Sequence, residues 1–236
     1  MRLSINVDHV ATLRNARGEM IPDPVSLALM CEQAGADGIV VHLREDRRHI
    51  RDRDVILLRE LVTTKLDLEM ASTPEIVSIA CQIIPDLATI VPERREELTT
   101  EGGMNVLDNI SHLKDVIQEL HKHRIEVSLF IEPDIEHINA ASEVQSDFIE
   151  IHTGVYANAV SEEEQFDELE NIRMAARHAK KLGMGVNAGH GLNYHNMKTF
   201  RAIEEIDEVS IGHAIIARAV FVGIHQAVRE MIGLLQ

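Results

Sequence analysis

Gly38-Ile39-Val40-Val41-His42-Leu43-Arg44-Glu45-Asp46-Arg47-Arg48-His49 is the stretch from which the rest of the chain can be read. It opens as a short apolar run rich in β-branched side chains, the pattern of a strand buried on both faces in a parallel sheet. From His42 to His49 seven of eight residues are polar or charged, among them two histidines and three arginines. In parallel α/β folds the C-terminal ends of the strands face the ligand. A charged run by itself reads as a solvated loop with surface ion pairs. The functional reading gains ground because the same pattern recurs at other strand ends.

Working outward, strands are predicted at 3–8, 38–41, 66–70, 87–91, 126–131, 148–152, 185–188 and 208–211. Between them lie helical patterns. Asp23-Pro24 is a cap and first-turn signal for a helix ending at Gly35. Ser161 with Glu164 is a capping box for a helix running to Leu182. Val106, Leu107, Ile110, Leu113, Ile117 and Leu120 keep helical spacing. Further helices are expected from Asp52 or Asp54 through Leu61, from Thr73-Pro74 to Ile83, from Asp134 to Ala141, at roughly 194–203 and at 214–235. A polar loop with Arg14, Asn15, Arg17 and Gly18 is expected after the first strand. Eight strand–helix alternations in 236 residues match a (β/α)8 TIM barrel, an α/β fold forming one domain over 1–236. A doubly wound open sheet is the fold alternative. It gives no reason for polar residues at every strand end. The connection 93–103, with Thr99-Thr100-Glu101-Gly102-Gly103, exceeds the usual βα loop and is a candidate active-site lid.

Composition narrows the function. Hydrophobic residues make up 45% of the chain, only 3% are aromatic and there is no Trp, so the core is expected to be aliphatic. No apolar stretch reaches the ~18 residues of a membrane helix. The first residues read as a strand and not as a signal peptide, which points to the cytoplasm. Cys31 and Cys81 form neither a disulfide framework nor a metal motif. The net charge of −16 argues against nucleic acid and anionic membranes as partners. Residues 1–59 are neutral, with nine arginines against nine acidic groups, while the remainder carries the whole surplus of acid. A local concentration of rigid guanidinium forks suits a small anion such as phosphate or carboxylate, unless Arg is simply the preferred surface cation.

In a barrel the strand ends converge on one mouth. The first strand brings Asn6, Asp8 and His9. The second brings His42 and Arg44, with His49 beyond. Glu69, Glu132, Glu150, His152, Asn187, His190 and His213 follow from later strands. His112, His121, His123, His137, His178 and His225 read as helix-surface residues. Gly189-His190-Gly191 and Gly212-His213 fit the phosphate site that barrels build after their last two strands. Histidine moves protons near neutral pH, and a Glu inside an apolar strand, as in Leu68-Glu69-Met70, is expected to titrate high. No Lys at a strand end argues against a Schiff-base aldolase, and there is no Ser or Cys nucleophile signature. Metal hydrolysis has candidate ligands in Asp8, His9, His42, His152, His190 and His213, but the early His-x-His pair such sites use is missing. The residues point to metal-free acid–base chemistry on a small phosphorylated, carbonyl-bearing metabolite.

Several stretches closely resemble the pyridoxine 5′-phosphate synthase family. They are 6–18 (Asn-Val-Asp-His-Val-Ala-Thr-Leu-Arg-Asn-Ala-Arg-Gly), His42–Ile50, Thr99–Gly103, Phe148–Gly154, Asn187–Leu192 and Ile211–Ile215. The resemblance runs end to end. It implies a (β/α)8 enzyme of vitamin B6 biosynthesis that condenses 1-deoxy-D-xylulose 5-phosphate with 3-amino-2-oxopropyl phosphate. The products are pyridoxine 5′-phosphate, phosphate and water. It also implies no metal or organic cofactor, and a homo-octamer built as a tetramer of dimers. Carried over by motif, His42 and Glu69 are the implied proton acceptors and His190 the proton donor. Asp8, His9, Arg44, His49 and Thr99 are implied to hold the sugar phosphate. Asn6, Arg17, Gly191, Gly212 and His213 are implied to hold the amino-ketone phosphate, so that two phosphates account for the local arginines. The rival readings are another phosphosugar-converting barrel (an isomerase or epimerase), a non-catalytic phosphometabolite-binding protein and a metal-dependent hydrolase.

Overall fold

The computed structural model describes residues 1–93 and 102–236. Eight parallel strands close into a barrel in sequence order: β1 Arg2–Asn6, β2 Gly38–His42, β3 Lys65–Met70, β4 Leu87–Ile90, β5 Glu126–Ile131, β6 Phe148–His152, β7 Gly185–Gly189 and β8 Glu208–Ile211. Closure comes from β8 pairing with β1, Leu3 beside Val209. The helices are α1 Asp8–Arg17, α2 Pro24–Ala34, α3 Asp52–Leu61, α4 Pro74–Ile83, α5 Ile110–Lys122, α6 Ile135–Glu143, α7 Gly154–Asn158, α8 Glu162–Lys181, α9 Met197–Phe200, α10 His213–Val222 and α11 Ile224–Leu235. Register sets function-bearing residues side by side, His42 against Glu69 and His152 against Gly189.

The expected barrel is therefore present, with local differences. The polar stretch after β1 is helix α1, not a loop. A short helix, α7, follows β6. The helix expected at 194–203 is one turn at Met197–Phe200, and the final helix is two, divided at Gly223, whose φ of 81° only glycine adopts readily. The helix expected from Val106 begins at Ile110 after a 3₁₀ turn at Leu107–Asn109. Residues 94–101, most of the expected lid and Thr99 with it, lie outside the described residues.

Period-2 alternation gives each strand two faces. Leu3, Ile5, Ile39, Val41, Leu66, Leu68, Val127, Leu129, Ile149 and Ile151 belong to one aliphatic core shared with the helices. The alternate residues, Ser4, Asp67, Thr89, Ser128, Glu150, Asn187 and Glu208, are buried and polar. Barrel interiors are usually filled by Val, Ile and Leu; this one is lined with polar groups. Lys65 reaches Glu208 from a non-adjacent strand, and Ser4 Oγ donates to the same carboxylate at 2.7 Å.

Helix α1 is tied to the loop after β2 by a fully buried ion pair. Arg14 Nη1 and Nη2 donate to both oxygens of Asp54 in α3, at 2.9 and 2.8 Å. Nη2 also donates to the carbonyl of His49 at 3.0 Å, and Asn15 Nδ2 donates to the same carbonyl at 2.8 Å. Removing one partner of such a pair strands the other charge. Arg14→Leu is expected to lower stability by about 3–5 kcal/mol in urea unfolding, with Arg14→Leu/Asp54→Leu recovering much of the loss. Equal stability of the single variant and the parent would show that the pair holds nothing.

Candidate active site

The C-terminal mouth carries its groups in two clusters. The first surrounds His42, the last residue of β2. Asp8, at the start of α1, accepts the His42 backbone N–H at 3.0 Å and Asn6 Nδ2 at 3.1 Å. Asn6 Nδ2 also lies 3.5 Å from Glu69 Oε2. The imidazole sits between two carboxyls: Nε2 is 2.9 Å from Glu93 and Nδ1 is 3.8 Å from Glu69. These two glutamates titrate in opposite directions. Burial pushes Glu93 up, but the hydrogen bond with His42, the charge on it and the Glu45 N–H outweigh that and leave Glu93 below the usual carboxylate range. Glu69 stands well above it, first through burial and then through repulsion from Glu150, Asp8 and Asp67.

His49 and Arg44 stand beside this cluster, both buried. His49 Nδ1 accepts the Ile50 backbone N–H at 2.9 Å, so in the neutral ring the proton sits on Nε2, a donor suited to an anion. Burial holds the His49 and His9 imidazoles below their ordinary values. The His9 ring lies 5.4 Å from that of His213, the first residue of α10, whose cap is Gly212.

The second cluster is built by β5, β6 and the turn after β7. His152 ends β6, with Nδ1 2.8 Å from Glu132. Its ring centroid is 4.9 Å from that of His190. His190 sits in the left-handed region at φ 76°, a conformation costing on the order of 1–3 kcal/mol for a non-glycine residue. Thr153 Oγ1 donates to the His190 carbonyl at 2.6 Å. Deeper in the barrel, Glu150 is pushed up to about 8, by burial and then by the charge of Asp67. A Cβ on Gly189 would stand 2.2 Å from Glu150, so glycine there makes room for that carboxyl. A cavity of about 510 Å³ opens beside these rings, lined by His152, Gly154, His190 and, from α8, Glu164, Asp167 and Glu168.

Of the residues singled out from sequence, Asn6, Asp8, His42 and Glu69 form one hydrogen-bonded or ion-paired group with His49 beside it. His9 meets Gly212 and His213, and His190 meets His152. Arg17 is exposed on the last turn of α1 and bonds to none of the others among the described residues. The arginines of the opening stretch are less devoted to anions than their number suggested. Arg47 pairs with Asp52 and Glu75, Arg48 with Asp46, Arg53 with Asp23 and Arg59 with Asp86. Sequence reasoning missed Glu93 altogether and gave Glu132 and Glu150 no role. Their signal was a carboxylate at or near a strand end. Asp8, His42 and His49 offer ligand atoms within 4.8 Å of one another, the spacing of a cation site. His49 Nδ1 accepts the Ile50 N–H, so Nε2 of the neutral ring carries a proton and offers no lone pair to a cation.

The chain is similar to known proteins over its whole length. The sequence pattern of the pyridoxal phosphate biosynthesis protein PdxJ family matches residues 3–236. The pyridoxine 5′-phosphate synthase of Chlorobium phaeobacteroides is 58% identical over 236 residues, covering all of both chains. That of Geobacter sulfurreducens is 54% identical over 235 residues, covering all of this chain and 98% of the other. Among solved structures, 3-hexulose-6-phosphate synthase superposes with a TM-score of 0.64 at 14% identity over the full length of both chains. Phosphoribosyl anthranilate isomerase from Thermus thermophilus does so with 0.61 at 13%, covering all of this chain and 98% of the other. At that identity the likeness is one of fold. Among the described residues no helix is long and apolar enough to cross a membrane.

A buried acid whose folded pKa is raised favours the protonated state on folding. The stability it contributes is present below its unfolded value, near 4.3, and is lost as pH rises through its folded value of about 8. Glu150→Gln should match the parent in thermal melts at pH 5 and melt several degrees higher at pH 9. A variant that melts lower than the parent at pH 9 would contradict a protonated Glu150.

Proposed function

The chain belongs to the family of the pyridoxal phosphate biosynthesis protein PdxJ, and from that premise we propose how its barrel mouth performs the pyridoxine 5′-phosphate synthase reaction. In that reaction 1-deoxy-D-xylulose 5-phosphate condenses with 3-amino-2-oxopropyl phosphate, giving pyridoxine 5′-phosphate, phosphate and water. The observation that carries the residue roles is the Glu69 carboxyl, which titrates high beside a histidine whose other nitrogen meets an ionised glutamate.

The substrate amine attacks the ketone of the sugar phosphate, so no enzyme lysine is needed. His190 gives a proton to the carbinolamine hydroxyl, which leaves as water, and an imine forms. Glu69, once its resting proton has passed to His42, then takes a carbon-bound proton beside the imine. Its charge is costly where it sits, so it accepts a proton readily. His42 relays protons between Glu69 and Glu93 as phosphate is eliminated. His190 serves again in the ring closure, where the enamine carbon adds to the remaining carbonyl, and in the loss of water that follows it.

Arg44, the Nε2–H of His49, Asp8, His9 and Thr99 hold the sugar phosphate in this reading. Gly191, Gly212 and His213, with Asn6 and Arg17, hold the amino-ketone phosphate at the N-terminus of α10, where unpaired backbone N–H groups favour an anion. Residues 93–103 serve as the lid. The whole chain acts as one domain, supported by one aliphatic core drawn from all eight strands. Arg17 and the nearby Leu13, both exposed, and Val220 and Phe221 at 78% and 84% exposure, suit burial against further copies in an octamer. The unpaired Cys31 and Cys81 suit the cytoplasm.

Chelator-treated protein supplied with both substrates is expected to release pyridoxine 5′-phosphate and phosphate in equal amounts. Glu69→Gln should lower turnover by about 10³-fold or more while still binding the sugar phosphate. An isomerase or a passive binding protein makes no pyridoxine 5′-phosphate, and the latter tolerates the substitution. Absence of product from folded wild-type protein would overturn the reading.

A further inference from the structure

One orphaned atom of the mouth is His152 Nε2. The His152 side chain is 6% exposed, and its Nε2 is buried with no hydrogen-bond partner among the described residues. A buried polar atom without a partner asks for an explanation. Its lone-pair state follows from the other side of the ring. Glu132 Oε1 accepts both the Gly103 N–H at 2.7 Å and His152 Nδ1 at 2.8 Å. Burial raises Glu132, but those two hydrogen bonds more than offset it, and the carboxyl stays below the usual range. An ionised carboxylate can only accept, so Nδ1 carries the proton and Nε2 of the neutral ring is a bare acceptor. Phe130, edge-on at 5.3 Å, fixes the plane of the ring.

What faces that lone pair is His190. A Cβ built on Gly154 would lie 2.4 Å from His152 Nε2 and 3.2 Å from His190 Cδ2, so the two ring edges converge over the one residue that leaves them room. A half-turn of His190 about its Cβ–Cγ bond exchanges Cδ2 with Nδ1 and leaves the shape of the ring almost unchanged. After that turn an N–H stands where a C–H stood, on the ring edge that meets Gly154 beside His152 Nε2.

We propose that Glu132, His152 and His190 form a hydrogen-bonded relay whenever His190 carries its second proton: His190 Nδ1–H donates to His152 Nε2, and His190 Nε2–H points to the substrate. His152 and Glu132 are then positioning residues, and the inference rests on the reading of His190 as proton donor. In the dehydration step the Nε2 proton passes to the departing hydroxyl, and the C–O bond breaks with its electron pair leaving on oxygen as water. His190 is left neutral as the Nδ1–H tautomer, still bonded to His152. The relay fixes which nitrogen works. Among the described residues, the charged groups across the cavity from the pair are Glu164, Asp167 and Glu168 of α8.

The test compares His152→Phe, which keeps a ring and removes the acceptor, with His152→Gln, which restores an acceptor oxygen. The relay predicts a kcat about 100-fold lower in His152→Phe, with both KM values within about twofold. It also predicts a basic limb of the kcat–pH profile moved down by about one unit, because an unsupported imidazolium loses its proton earlier. His152→Gln should regain about tenfold of the lost kcat. Wild-type kcat in His152→Phe, an unmoved basic limb, or equal losses in both variants would overturn the relay. Nitrogen-15 spectra of histidine-labelled free protein below pH 6 give a reading independent of turnover. A hydrogen-bonded His190 Nδ1–H that disappears in His152→Phe supports the relay, and its absence from the wild type refutes it. A wild-type protein that makes no pyridoxine 5′-phosphate, with this signal present, would sink the functional reading and leave the relay standing.

Discussion

One ammonium, Lys65, stands among the described strand residues against four carboxyls inside the barrel: Asp67, Glu69, Glu150 and Glu208. Desolvated like charges cannot all be ionised together, and a single cation cannot compensate four of them. The fold resolves the conflict by position. Glu208 takes Lys65 and the Ser4 hydroxyl, with Arg2 at 3.5 Å. Asp67, two residues up the same face of β3, takes the Thr89 hydroxyl at 2.9 Å and is raised to about 6. Glu69, two residues further, stands well above the usual carboxylate range, and Glu150 across the barrel is raised to about 8. Charge is thus held at the N-terminal end of the lumen and protons toward the mouth.

That gradient gives the mouth its chemistry. A carboxyl pushed up by its surroundings, Glu69, sits across one imidazole from a carboxylate pushed down by its own, Glu93, and such divergence separates proton donors from acceptors in one site. The pattern is repeated on the two sides. Glu93 lies against His42 and Glu132 against His152, each glutamate ionised by its histidine and by one backbone N–H. Both glutamates flank the connection between β4 and α5: Glu93 precedes residues 94–101, and Glu132 binds Gly103 after them. The groups that set the histidine tautomers are therefore also those that anchor the ends of this connection.

The barrel was legible because β-branched runs and helical spacing alternate eight times, and the mouth because polar residues cluster where those runs end. Glu69 was legible for the same reason: a carboxylate inside Leu68-Glu69-Met70 has no water in which to put its charge. Helix α1 was not. Its buried face is Asp8, Val10, Ala11 and Arg14, and two of those four are ionic. Arg14 is core only because Asp54 waits 40 residues away. Hydrophobic periodicity assigns such a residue to solvent, and no local pattern announces the partner. Glu93 escaped for a related reason, since its value lies in a contact with His42, 51 residues earlier. Short elements such as α7 and α9 fall below the length at which periodicity says anything.

The arginine-rich first quarter carries a different lesson about reading charge. Nine guanidinium groups in an acidic chain suggested anion recognition, yet most have carboxylate partners within their own neighbourhood. Arg14 and Asp54 join α1 to α3. Arg47, with φ at 53°, is bound to Asp52 and Glu75 and gives one N–H to the Arg44 carbonyl at 3.1 Å. The arginine surplus thus fixes a loop that has little apolar surface of its own to bury, from His42 to Arg51. Guanidinium suits that task because its donors satisfy carboxylates and backbone carbonyls together in one plane. Arg44 and His49 are the buried groups this scaffold holds in place at the mouth. A loop carrying few apolar anchors but bearing a donor such as His49 Nε2–H must be rigid to be useful. Local neutrality in the first quarter, nine against nine, is therefore what a loop built from ion pairs requires, while recognition of an anion needs only the few donors those pairs support.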